Sequence, residues 1–222
     1  MDTDLKIEKR KFFLSLAKAL IVTAIIALAF ILNDIFSLQW NQYGMKPRTA
    51  QGLTGILTMP FLHANARHLL SNLLPLFFFC FGLYYFFKGK ATVILIMLTL
   101  ATGVLTWAIG RDGVHVGASG TVYALAFFLV TISLIKRESS LLAYTLIIVF
   151  LYGSMVWGFF PLLFPDQHIS WEGHLAGAVS GILLAFYYRK EGPERKRYFE
   201  DEEEDEEPEN DVLYEEWWTS SR

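Results

Sequence analysis

The chain has 222 residues, 54% of them hydrophobic and 16% aromatic, with only 18% charged and a mean hydropathy of +0.37. That balance excludes an ordinary soluble domain and fits one polytopic membrane domain with a short tail. The net charge of -3 hides a division, because from Arg189 onward fourteen acids face six bases, a local -8, and the rest of the chain carries +5.

Residues 1–11 are polar and basic, with Lys6, Lys9, Arg10 and Lys11, and they precede a run over 12–32 whose one charge is Lys18. At about 1.5 Å per residue the run crosses a hydrocarbon core of about 30 Å, with Lys18 snorkelling to the basic side. It runs well past a signal-peptide core and no small-residue cleavage site follows, so a retained anchor is expected. Residues 33–68 mix Asn33, Asp34, Trp40, Pro47, Gly52 and Pro60 with the apolar Leu53, Ile56 and Leu57. Such a stretch suits the membrane interface, and its length with its hydrophobic content points to function.

Five further charge-free runs follow at 69–87, 91–110, 113–135, 139–165 and 173–188, the last short for a span. The reading is six spans in an all-α bundle. Placing the N-terminus inside puts fifteen of nineteen Lys and Arg on the cytoplasmic side, and only Lys46, Arg48, Arg67 and Arg111 outside. The positive-inside rule therefore predicts N-in and C-in. The division is a basic N-terminus over 1–11, a membrane domain over 12–188, and an acidic tail over 189–222. That tail holds the unbroken acidic block 200–207, which repels itself and is expected to be a disordered cytoplasmic end. The single cysteine, Cys80, lies in an apolar run, which leaves no disulfide framework and no cysteine-based metal site.

Polar groups inside membrane spans are costly and mark sites or interhelical hydrogen bonds. The candidates are His68 and Asn72 on the second span, Ser119 on the fourth and His174 on the sixth. In the N-in arrangement these spans all run from outside to inside, and all four residues lie early in them, so they converge at one depth. His68 and Asn72, at i and i+4, share a helix face, and Asn65 stands where it could cap that helix. His174 leads a face continuing through Gly177 and Gly181, while Gly117, Ala118 and Gly120 open the fourth span. Small residues at such spacing admit close helix approach, and that alone would explain them. Close approach also brings Ser119 and His174 within reach, and a neutral imidazole is the base a serine needs.

No carboxylate lies within the spans beside this pair. Glu172 could orient His174 but is expected to face the aqueous surface, since two residues apart on a helix the side chains diverge. Oxyanion donors are available as unpaired N–H groups at the helix start, with His68 and Asn72 as side-chain donors, each such donor typically contributing about 2.7–4 kcal/mol. Water access is expected from the turn over 110–113 dipping inward.

These residues resemble the rhomboid family of intramembrane serine proteases. The likeness rests on His63-x4-His68-x3-Asn72, on Gly117-Ala118-Ser119-Gly120 with Tyr123 one turn on, and on Gly173-His174-x2-Gly177-x3-Gly181. Taken in order on the second, fourth and sixth of six N-in spans, it covers about residues 12–188. The resemblance implies Ser119 as nucleophile and His174 as general base, with an oxyanion hole from His68, Asn72 and the Ser119 N–H. Tyr123 would stack on His174 and His63 would support the network. The implied reaction hydrolyses a peptide bond near the membrane through an acyl-enzyme, without metal or cofactor. One departure is that Pro47-Arg48-Thr49 replaces the Trp-Arg pair that many members carry in the first outer loop. The stretch 164–171 resembles the family's cap, and 152–160, with Trp157 and Phe159, its lateral gate.

The expected partners are the lipid bilayer and single-pass or polytopic membrane-protein substrates, not nucleic acid, with a monomer as default and a bacterial cytoplasmic membrane as location. Two other readings remain beside the protease. One is a catalytically silent relative that holds transmembrane partners. The other is a transporter or structural protein, which would be expected to show repeated halves or intramembrane carboxylates.

Overall fold

The computed structural model describes residues 2–160 and 170–194. Most of the expected cap, the acidic block and the closing aromatics Trp217 and Trp218 lie outside the described residues. Among the described residues seven α-helices follow in order: α1 (Asp2–Ile35), α2 (Gly52–Thr58), α3 (Ala66–Phe86), α4 (Ala91–Ile109), α5 (Ser119–Lys136), α6 (Ser139–Tyr152) and α7 (Trp171–Tyr187). Among the described residues five stretches are long and apolar enough to cross a membrane, Thr3–Ile35, Ala66–Phe86, Lys88–Ile109, Ser119–Lys136 and Ser139–Phe159. The sixth expected span corresponds to α7, which with 17 residues, about 25 Å, is shorter than these five.

The bundle is organised around α5, which meets α3, α4, α6 and α7, its contact with α7 being the most extensive of the helix pairs. Leu125, Phe128, Leu129 and Ile132 of α5 are fully buried there. α1 packs on α3 through Ser15, Ala19, Thr23 and Ile26 and leaves its other face to lipid. At its polar end Glu8 accepts a hydrogen bond from Tyr85 at 2.9 Å, and Lys11 sits 3.9 Å above the Tyr85 ring. The chain expected to snorkel, Lys18, is exposed and lies over Tyr84 at 5.3 Å.

The first loop is built rather than loose. In α2, Gly52 and Gly55 face the backbone of Lys46 and Met45 while Leu53 and Leu57 are exposed, as an interfacial segment requires. Arg48, standing where the family's pair is missing, donates to the Gly110 carbonyl at 2.5 Å and to Asp112 at 2.8 Å. Trp107 Nε1 donates to the Thr49 carbonyl at 3.0 Å, which ties the same loop to α4.

Two boundaries differ from the sequence expectation. The run from 113 becomes helical only at Ser119, because Met45 and His115 exchange backbone hydrogen bonds of 2.8 and 2.9 Å and Gly117 takes φ +113°, outside helical space. The run from 139 is α-helical only to Tyr152 and tightens into a 3-10 segment over Gly153–Phe159.

Candidate active site

Each candidate side chain is set by a local device. Asn65 caps α3, its Oδ1 accepting the His68 N–H at 2.9 Å, and this fixes the turn from which His68 and Asn72 project. Both point at Gly117, where an added Cβ would stand 2.7 Å from His68 Nε2 and 3.5 Å from Asn72 Nδ2. The glycine is required twice over, by its positive φ and by this approach. Asn72 Nδ2 is buried and has no hydrogen-bond partner among the described residues. His63 stands edge-on to His68 with ring centroids 5.1 Å apart, and its Nε2 accepts the Ala118 N–H at 3.4 Å. Burial, with a lesser push from His68, brings the His63 pKa down to about 4, so near neutrality the ring is the uncharged acceptor this bond needs.

Ser119 is the first residue of α5 and is partly exposed. Against it, α7 lies backbone to backbone with α5. A Cβ on Gly177 would run into the Gly120 carbonyl, one on Gly181 into the Ala124 carbonyl, and one on Gly120 would lie 3.2 Å from the Gly173 carbonyl. His174 is buried one turn into α7 and stacks on Tyr123, centroids 4.1 Å apart and planes within 8°. Its Nδ1 lies 2.9 Å from the Gly158 carbonyl oxygen. A carbonyl only accepts, so Nδ1 carries the hydrogen and Nε2 keeps its lone pair. The Tyr123 hydroxyl donates to the Met155 carbonyl.

The structure thus brings together His63, His68, Asn72 and Gly117 on one side, and Gly120, Tyr123, His174, Gly177 and Gly181 on the other, with Ser119 in the chain between them. Ser119 Oγ and His174 share no hydrogen bond among the described residues, and catalytic contacts of this kind commonly close only around a substrate.

Two expectations are corrected. Glu172 does not face water: it is 3% exposed, with Oε1 3.5 Å from Arg111 Nε, and the Gly158 carbonyl rather than a carboxylate orients His174. Beyond the buried Gly110 the turn over 110–113 does not dip inward, since Arg111, Asp112 and Gly113 are exposed and Arg48 ties the turn down. The stretch that turns inward is the next one, His115 to Ala118. His115 is the polar residue that reading by spans misses; a histidine inside a charge-free run was its one signal. Of the expected gate residues, Trp157 is exposed, while Phe159 packs edge-on against Tyr123 at 5.1 Å.

Comparison with known proteins gives two results. A family model described as the Rhomboid domain matches residues 50–191. An uncharacterized protein of Mycobacterium tuberculosis is 32% identical over 183 residues, covering 78% of this chain and 73% of its own length. Another uncharacterized protein, of Mycobacterium leprae, is 30% identical over 179 residues, covering 78% and 70%.

Proposed function

Because this chain belongs to the rhomboid family, we propose that it is an intramembrane serine endopeptidase that cleaves transmembrane proteins by a Ser119–His174 dyad. The observation that carries this reading is the His174 tautomer. With Nδ1–H held by the Gly158 carbonyl and the ring stacked on Tyr123, Nε2 is the free base, on a helix pressed against the one that begins at Ser119. Nε2 takes the Ser119 Oγ proton as Oγ attacks the scissile carbonyl carbon. The oxyanion forms beside the Ser119 backbone N–H, His68 and the unpartnered Asn72 Nδ2. Its collapse breaks the C–N bond, the imidazolium returns its proton to the departing amine, and water repeats the sequence on the acyl-enzyme. The charge distribution supports a site toward the non-cytoplasmic side of a bacterial cell membrane.

The test incubates the full chain in detergent with a transmembrane substrate and, separately, with a fluorophosphonate probe. Wild type is expected to cleave and to label, and Ser119→Ala to do neither. Labelling that survives the Ser119→Ala substitution would sink the nucleophile, and cleavage unchanged by His174→Ala would sink the dyad.

A further inference from the structure

His115 is buried, lies outside the dyad and its oxyanion donors, and has both ring nitrogens engaged. Nε2 is 2.9 Å from the Arg111 carbonyl oxygen and Nδ1 is 2.6 Å from Ser170 Oγ. A carbonyl only accepts, so in the neutral ring Nε2 carries the hydrogen and Nδ1 offers the lone pair. Ser170 then gives Nδ1 its one hydroxyl proton. Its oxygen is left as an acceptor, which the Gly173 N–H uses at 3.3 Å, while the Ser170 carbonyl takes the His174 N–H at 3.2 Å. The bonds run in one direction from a loop carbonyl to the Gly173 amide, next to the candidate base, whose own amide bonds separately to the Ser170 carbonyl. The anchor is firm, since the His115 backbone is paired with Met45 in both directions. Arg111 and Glu172 join the same two segments a second time.

Resting on the protease reading above, we propose that His115 is a positioning residue: through Ser170 it sets the first turn of α7 and hence where His174 stands. Its ring nitrogens bond to Ser170 and to the Arg111 carbonyl, not to Ser119 or the His174 ring. It acts by holding the N-cap hydroxyl in one orientation, the one that caps α7. The effect reaches chemistry because misplacing a catalytic group by about 1 Å can cost about 100-fold in rate.

The experiment uses the full chain in detergent as wild type, His115→Leu, His115→Asn, Ser170→Ala and the Leu/Ala double variant. The readouts are kcat and KM on a transmembrane substrate, fluorophosphonate labelling rate per folded molecule, thermal unfolding, and hydrogen exchange at the Gly173 and His174 amides. Expected is a fall in kcat and labelling of about 10- to 100-fold for His115→Leu with KM unchanged. Ser170→Ala should match it, and the double variant should be no worse than either single change, since both break one chain of bonds. His115→Asn, whose carboxamide oxygen can still accept from Ser170, should recover most of the rate. Exchange at both amides should quicken in the Leu and Ala variants and slow again in Asn.

The inference is overturned if His115→Leu leaves labelling and exchange at wild-type values. It is also overturned if the variants, Asn included, lose only thermal stability, with the rate per folded molecule intact. Should wild type fail to label at Ser119, the protease reading falls instead, and the exchange data alone decide the role of His115.

Discussion

Between α5 and α7 backbone closely approaches backbone at Gly120, Gly177 and Gly181, and the Tyr123–His174 stack joins the same two helices. Between α5 and α6 the contact is sparse, carried by Ile148 and a hydrogen bond of 3.0 Å from Thr145 to Ser133, and beyond Tyr152 no residue of the 3-10 segment is buried. The share of each apolar stretch inside the protein makes the contrast quantitative, 56% for Ser119–Lys136 against 17% for Ser139–Phe159. An apolar cavity of about 210 Å³, lined by Phe79, Tyr123, Phe127, Ile148 and Tyr152, lies along the sparse side. The difference divides labour. The tight seam packs the helices that carry Ser119 and His174 against each other, and the loose flank leaves an apolar cavity beside Tyr123. The flank is not idle, because its Met155 and Gly158 carbonyls hold Tyr123 and His174.

Three substitutions test that division, and the largest effect belongs to the seam. Gly177→Val drives a branched side chain into the Gly120 carbonyl and is expected to cost about 1–3 kcal/mol in thermal unfolding in detergent, and to abolish cleavage. A stable and active Gly177→Val protein would break the comparison. Gly158→Ala comes second. Its Cβ would meet the Tyr123 hydroxyl and stand 2.9 Å from His174 Nδ1, so kcat should fall about 10- to 100-fold while the unfolding temperature stays near wild type. Parallel losses of rate and stability would mean that the flank is part of the rigid core. The smallest effect is expected from Phe150→Ala on α6, a side chain 88% exposed, whose removal should change stability by less than about 0.5 kcal/mol. A larger loss would show that α6 is held more firmly than its burial implies.

Much of this was legible in the sequence for a physical reason: the cost of burying charge in a bilayer leaves charge-free runs, and five of the six runs fall in helical stretches long and apolar enough to cross a membrane, the sixth in the shorter α7. Helical periodicity likewise put His68 beside Asn72 and aligned His174 with Gly177 and Gly181. What stayed hidden depends on contacts between distant segments. The late start of α5 follows from the pairing of His115 with Met45, seventy residues earlier in the chain. The tie from His115 to Ser170 crosses 55 residues. Side-chain patterns also say nothing of carbonyl direction, so the acceptors at Met155 and Gly158 had no signature at all. Glu172 was misjudged because its local position suggested water, whereas it is buried beneath an exposed partner, Arg111, on a separate loop.

The glycines of the α5–α7 seam have one more consequence. Where two helices touch through side chains, their spacing shifts whenever a rotamer changes, and rotamers respond to temperature and to the lipid around them. At Gly120, Gly177 and Gly181 there are no rotamers to change. At these three points the approach of the two helices is therefore limited by the peptide backbone itself, which leaves fewer of their contacts to loosen by a change of rotamer.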